Sequence, residues 1–412
     1  MQLINNLKLI IQNISGFILK HKEWFIIGIL LIISGVAHGY NMFHFPYYEN
    51  DEGTYMSQAW SVITQGKMSH YTYFYDHSPV GWFLIALWTK LTGGFFTFGI
   101  SVNSGRVLML VLHLFSTFFL FKIAKKMTGS IYAGIFSVLI FSLSPLGIYF
   151  QRRVLLDNIM IFWLLMSLYF IICHRRRLLI VMLSAITFAL SVLSKESGIF
   201  FLPVMLYLLF IQINKQHRKL GLIFWIIIFG IICSFYPLYA LLKGELFPMG
   251  SIFDSGGEHV SLIETLLWQA TRGGGDTIQY LKQWFYYDKF IIIFGVISTF
   301  INLLLGINKK YYRIVALLSL SYILYLIKGG LLIEFYIIGL IPFLSLNIGI
   351  FLWFLIDKIN KKQLISLFLL VIFLFVLSKK LIDKQEIYIS NQVIDQEMAL
   401  SWIKKIFPMI KW

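Results

Sequence analysis

Residues 24–40, WFIIGILLIISGVAHGY, lead within a few positions to residues 47–60, YYENDEGTYMSQAW. The first stretch is a continuous apolar run. The second sets Glu49, Asp51 and Glu52 within four positions, where a chain leaves a membrane. Carboxylates are costly beside hydrocarbon unless they are paired, solvated or in use. The junction raises two questions: what fold puts an apolar segment here, and what the acids do.

Composition answers the first. Of 412 residues 58% are hydrophobic and 13% charged, and the mean hydropathy is +0.79. A soluble domain carries about 25% charge. Several runs approach or exceed the roughly 18 apolar residues of a membrane helix. The net charge of +16 reads as positive-inside loops and contact with anionic lipid rather than nucleic acid. Cys173 and Cys233 fall at the end and in the middle of apolar runs, so they read as packing residues without a disulfide framework. Lys20 and Lys22 precede a first run too long for a cleaved signal, which reads as a retained span.

The apolar runs are 24–41, 80–98, 106–121, 131–150, 158–173, 178–194, 198–212, 220–242, 290–306, 314–327, 335–356 and 364–378. The connections FKIAKKMTG, HRRR, NKQHRK, NKKYYR and DKINKK each carry three Lys or Arg, the bias of cytoplasmic turns. With the N-terminus also inside, these turns share one side only if one run before Lys122 does not cross. Run 80–98 is that run. It follows Pro79 and contains Gly81, Gly93, Gly94, Lys90, Trp82 and Trp88, features of an interfacial or re-entrant helix. The fold class is therefore an all-α polytopic membrane protein, with about eleven spans and interfacial helices in the first outer loop. The transmembrane domain covers 1–378, with outer loops 42–105 and 243–289, and 379–412 is a short extracytoplasmic tail. Of the 19 acidic residues only Glu23 and Asp357 then lie on the inner side.

This topology gathers Asp51, Glu52 and Asp157 on the outer face. Asn50 or Asp51 is the expected N-cap of an amphipathic helix through Ile63, and capping alone is the plain alternative for the acids. QRRVLLDN, 151–158, sets Arg152 and Arg153 before Asp157. Their guanidinium groups suit either phosphate or the nearby acids. YFYDHSPVGW, 73–82, brings Asp76 and His77 in front of the interfacial helix. His77 is a candidate phosphate donor group, and Asp76 with His259 a candidate divalent-cation pair. GGEHVSLIETLLWQATRGGGD, 256–276, offers Arg272 beside a flexible glycine run. LSKESG, 193–198, and Glu334 with Tyr336 are polar pairs on the same side that either stand alone or line a cavity. Carboxylates flanked by Arg and His at a bilayer surface suit general-base catalysis on an acceptor with a phosphate leaving group. That is transfer from a polyprenyl-phosphate sugar, and it requires no cofactor, although a divalent metal ion at Asp76 and His259 would fit the site. A transporter or flippase of lipid-linked substrates is the alternative, but no internal repeat or midplane acid supports it.

ENDEGTYMSQAW, YDHSPVGW, RRVLLDN and HVSLIETLLWQATRGGG resemble the C-superfamily (GT-C) membrane glycosyltransferases, family 39, over roughly residues 24–360. That family includes protein O-mannosyltransferases and lipid A aminoarabinose transferases. The resemblance implies a polyprenyl-phosphate sugar donor, a lipid, glycan or protein acceptor, and an extracytoplasmic active site in the plasma membrane. It implies a catalytic carboxylate at Asp51, with Glu52 beside it and the second acid at Asp157. As basic groups on an otherwise acid-rich face, and not through the resemblance, Arg152, Arg153, Arg272 and His77 are expected to hold the donor phosphate. The family's K-P-P-L element is here DHSPV, so His77 stands where Lys is usual. Single cysteines placed near Ser69 and Gly256, in a variant without Cys173 and Cys233, are expected to react with an impermeant thiol reagent from outside. Those near Lys125 and Lys361 are expected to react only from inside. Outside labelling near Lys125 would overturn the topology.

Overall fold

The computed structural model of the protein describes residues 21–69, 75–174, 178–253, 256, 259–271, 273–274, 277–328 and 331–358. Run 364–378, the tail 379–412 and Arg272 lie outside the described residues. Those described are helical, with turns and short 3-10 segments and no strand. α1 is Lys22–Gly39. The first outer loop contributes α2, Asn50–Gln65, and α3, Val80–Leu91. Then come α4, Ser101–Thr128, α5, Ile131–Leu143, α6, Pro145–Gln151, α7, Leu156–Cys173, and α8, Leu178–Val192. A 3-10 turn, Glu196–Phe201, leads into α9, Leu202–Gln212, and α10 is Arg218–Leu242. α11, Leu262–Thr271, and α12, Thr277–Tyr287, precede α13, Lys289–Leu305, and α14, Lys310–Ile327. A third 3-10 turn, Glu334–Gly339, follows the second at Lys215–His217 and opens α15, Ile341–Lys358.

By length and composition six helices suffice to cross a membrane, or up to eight if each of two bent pairs is one span. The eleven expected spans are not reached among the described residues. α8 and α9 have only 15 and 11 residues, and the last run lies outside those described. α3, the run withheld from crossing, has 12 residues. At 1.5 Å per residue it covers about 18 Å, well short of the roughly 30 Å hydrocarbon core.

The two bends have chemical causes and share a bond. α5 and α6 meet at 61° because Pro145 starts a new helix, whose N-terminus is capped by Ser144 Oγ accepting from Gly147 N at 3.1 Å. α12 and α13 meet at 107°, where Asp288 caps α13 by accepting from Ile291 N at 3.0 Å. Ser144 Oγ also donates to Asp288 Oδ2 at 2.6 Å. One buried hydrogen bond therefore links both corners.

α4, α5, α7 and α15 form the centre, and α1 lies against α4 and α5. Close approach of α15 to α5 depends on Gly349, where a Cβ would fall 2.2 Å from Ser137 Oγ. Glu23 on α1 pairs with Lys122 and Lys125 on α4, at 2.8 and 2.5 Å. The start of α1 and the basic end of α4 thus share one side, as the parity of the basic turns requires.

At the other end Arg106, in the second turn of α4, fixes the first loop. Its Nε and Nη2 donate to Glu52 Oε1 and Oε2 at 3.0 and 2.8 Å. Nη1 donates to the carbonyls of Met42 and Pro46, both at 2.8 Å. Gly105 lets α2 press in here, since a Cβ would meet Val154 at 2.6 Å and Met56 Sδ at 2.8 Å. Both side chains of the ion pair are fully buried. Arg106→Met leaves Glu52 as a buried, unpaired charge, and removing one partner of such a pair costs about 3–5 kcal/mol. Thermal unfolding in detergent should show a large drop, partly recovered in the double variant Arg106→Met, Glu52→Leu. An unchanged melting temperature in Arg106→Met would refute this role.

Candidate active site

The cap of α2 falls one residue earlier than expected. Glu49, not Asn50 or Asp51, is the N-cap, and it forms a capping box with Glu52. Glu52 Oε2 accepts from Glu49 N at 3.0 Å and Oε1 from Val154 N at 2.9 Å. With Arg106 added, every lone-pair direction of the Glu52 carboxylate is in use. Glu52 therefore positions the helix start rather than facing a substrate. Asp51 is left uncommitted, with no hydrogen bond to any described residue.

Asp51 lies within electrostatic reach of Lys195, His77, Asp76 and Asp157. Burial raises its carboxyl above the ordinary aspartate range, while Lys195 and His77 pull it partly back. Asp157, in the first turn of α7, is fully buried, and its Oδ2 accepts from Lys195 Nζ at 2.6 Å. Burial pushes the Lys195 ammonium down, but the charge and hydrogen bond of Asp157, together with Tyr336 and Asp51, outweigh it and keep the group above the usual lysine value. The ammonium also lies 4.3 Å from the Tyr336 ring centroid. The sequence thus places Asp51 and Asp157 in one electrostatic unit, joined by a lysine that the sequence showed only as a polar residue at an outer turn.

His77 is held between two acids. Its Nδ1 lies 3.2 Å from Glu196 Oε2 and its Nε2 3.7 Å from Asp76 Oδ2. Glu196 Oε1 accepts from both the backbone N and Oγ of Ser78. Burial pushes the Glu196 carboxyl up, but the hydrogen bonds from His77 and Ser78 outweigh it and hold the group down to about 2. Burial lowers His77, and the Glu196 hydrogen bond and charge raise it above its ordinary value. Asp76 accepts from Gln269 on α11 as well. A cavity of ≈ 170 Å³ is lined by Asp76, His77, Lys195, Glu196, Lys328 and Tyr336 among others. Beside it runs an apolar groove of ≈ 240 Å³, lined by Val62, Met68, Val80, Phe83, Leu193 and Phe235 among others. The walls of the two are continuous in sequence: Pro79 and Leu193 of the groove each lie two residues from His77 and Lys195 of the cavity.

The arginines expected at the donor phosphate are placed elsewhere. Arg152 donates to the carbonyls of Phe45 and Ala37 at 3.0 and 2.6 Å. Arg153, fully buried, meets Glu334 at 3.1 Å, Glu49 at 3.3 Å and the Tyr149 hydroxyl at 2.9 Å. Both guanidinium groups tie segments together, and neither lines the cavity. Arg272 lies outside the described residues. His259 contacts the Phe247 carbonyl at 3.1 Å, whereas Asp76 contacts His77 and Gln269. Among the described residues no three His, Cys, Asp or Glu side chains cluster as a metal site. Arg106 was missed by the sequence reading. Its signal was a lone arginine at the outer edge of an apolar run, the same departure from the positive-inside trend that singled out Arg152 and Arg153.

Residues 76–238 match the family model for dolichyl-phosphate-mannose-protein mannosyltransferase. No curated protein matches the chain. Solved structures do. ArnT from Cupriavidus metallidurans bound to undecaprenyl phosphate is 15% identical with a TM-score of 0.57, over 86% of this chain and 63% of that one. The oligosaccharyltransferase AglB from Archaeoglobus fulgidus, in complex with an inhibitory peptide and a dolichol-phosphate, is 10% identical with a TM-score of 0.61, over 89% and 56%. The chain thus spans less than two thirds of the length of either. At these identities the likeness is one of fold, which this chain shares with ArnT and AglB.

The His77–Glu196 pair sets a pH window. The depressed Glu196 carboxyl contributes stability that is complete above about 4.5 and is lost as pH falls toward about 2. The raised His77 contributes stability that is complete below about 6.5 and is lost as pH rises through its raised value. The melting temperature should therefore decline on both sides of that window, and Glu196→Gln should flatten both limbs. Parallel pH profiles for the two proteins would exclude the coupling.

Proposed function

We propose that this integral membrane protein, with its GT-C fold, transfers a sugar from a polyprenyl-phosphate donor to a hydroxyl acceptor at the extracytoplasmic face. The observation that carries the reading is the uncommitted Asp51 carboxylate, within electrostatic reach of Lys195 and His77, which themselves line a polar cavity with an apolar groove beside it. The groove suits a prenyl chain, and the cavity suits the phosphate and sugar. Asp51, raised by burial, takes the acceptor's proton as the acceptor oxygen bonds to the anomeric carbon. The bond from that carbon to the phosphate oxygen breaks, and its electron pair stays on the phosphate, near His77 and Lys195.

Asp157 acts through Lys195. It holds the ammonium by a 2.6 Å bond, and the ammonium in turn limits how far burial raises Asp51. Arg272 remains a candidate for the donor phosphate, whereas the Nη groups of Arg152 and Arg153 are engaged by backbone carbonyls, Glu49, Glu334 and Tyr149. The match to a dolichyl-phosphate-mannose-protein mannosyltransferase model supports a lipid-phosphate donor over the transporter alternative. A lipid, a glycan or a protein supplies the acceptor hydroxyl, and the sugar is a hexose or a pentose.

Asp51→Asn keeps the size and polarity of the side chain and removes its basicity. General-base catalysis contributes roughly 10²–10⁴-fold, so turnover by the purified, folded variant with a polyprenyl-phosphate sugar should drop by that factor. The wild-type rate should fall with decreasing pH at a point above the ordinary aspartate range, as the raised Asp51 requires. Near-normal turnover in Asp51→Asn would reject Asp51 as the base.

A further inference from the structure

Three cations line the cavity wall: Lys195, His77 and Lys328. Two are matched by acids, Lys195 by Asp157 at 2.6 Å and His77 by Glu196 at 3.2 Å. Among the described residues no carboxylate lies within ion-pair distance of Lys328. Lys328 is the C-cap of α14, a position where the helix dipole favours a cation. The dipole accounts for a basic residue there but not for where its charge lies. The ammonium is 5.4 Å from the Phe200 ring centroid and 5.2 Å from that of Tyr325, and both rings also line the cavity. Two aromatic faces thus hold an exposed lysine's charge at the cavity wall rather than leaving it to sweep through solvent.

We propose that Lys328 is a further catalytic residue, the cation that takes up the charge appearing on the phosphate as the sugar leaves. The inference rests on the donor reading above and adds a step to it. A sugar-linked phosphodiester carries one negative charge, while the phosphomonoester left behind approaches two. The acceptor oxygen bonds to the anomeric carbon, Asp51 receives the acceptor's proton, and the electron pair of the broken bond becomes the second phosphate charge. Lys195 and His77 have their fields largely cancelled by Asp157 and Glu196. A cation with no acidic partner among the described residues, held at the cavity wall where charge develops, stabilises the transition state more than the ground state. Lys328 therefore acts on kcat and on the affinity for the released polyprenyl phosphate, more than on donor KM.

The test compares wild type with Lys328→Met, which keeps an unbranched stem against Phe200 and Tyr325, with Lys328→Gln as a second neutral variant, and with Lys328→Arg, which keeps the charge. Each is purified into nanodiscs and checked for folding by thermal unfolding. Two quantities are measured: turnover with a polyprenyl-phosphate sugar, and binding of undecaprenyl phosphate alone. Losing a charge-assisted hydrogen bond corresponds to roughly ten- to a hundred-fold. Both neutral variants should lose kcat and undecaprenyl phosphate affinity by such a factor, with donor KM little changed and with Arg restoring both. Undecaprenyl phosphate affinity equal to wild type in the neutral variants overturns the Lys328 assignment and leaves the donor reading standing. A wild-type protein that does not bind undecaprenyl phosphate overturns both.

Discussion

The structure at the outer end depends on one buried ion pair. Arg106 and Glu52 are both removed from water, which costs several kcal/mol per ion unless geometry and further hydrogen bonds offset it. Here they do. Arg106 bonds to both Glu52 oxygens and to backbone carbonyls of the preceding loop, while Glu52 also takes the Glu49 and Val154 amides. This single contact joins α4, the start of α2 and the turn before α7. It also settles which acid of the trio remains available. With Glu49 and Glu52 used for capping and pairing, Asp51 is the one left without a hydrogen bond among the described residues, and so the one proposed to act on a substrate.

The broad architecture was legible because membrane helices announce themselves by length and apolarity. Every expected run among the described residues contains helix, and the basic end of α4 meets the start of α1 through Glu23. The site was partly legible for a different reason. Acids on one face of a topology must converge if the helices pack, and Asp51, Asp157 and His77 do come into one electrostatic unit. What a sequence does not display is which partner a charge takes. Arg152 and Arg153 looked available for phosphate, yet backbone carbonyls and Glu49, Glu334 and Tyr149 occupy them. The cap of α2 was misplaced by one residue because spacing alone treats Glu49, Asn50 and Asp51 alike, and only the tertiary pairing of Glu52 separates them. Lys328 gave no signal, since a lone lysine before two glycines reads as an ordinary helix end.

Of the cations on the cavity wall, Lys195 and His77 are matched by acids, and Lys328 has none within ion-pair distance among the described residues. In a poorly solvated site an ion pair such as Asp157 with Lys195 presents little net field to a substrate, although it fixes geometry. Lys328, and Asp51 within electrostatic reach of the wall's Lys195 and His77, are of opposite sign. A reaction that removes a proton from one molecule and leaves an extra negative charge on another calls for that division between a base and a cation.

α8 bears on how a lipid reaches this site. Its 15 residues cover about 22 Å, less than the roughly 30 Å of an average hydrocarbon core. A bilayer adapts to such a mismatch by thinning locally. α8 ends at Val192, one residue before Leu193 of the groove and three before Lys195 of the cavity. Thinning around α8 would bring the headgroup layer toward the ion pair, which on the proposed donor reading would shorten the path of the lipid phosphate to it. On the proposed reading, membrane thickness becomes a variable of the reaction: thicker bilayers would deepen the dimple and make each approach of a lipid headgroup more costly.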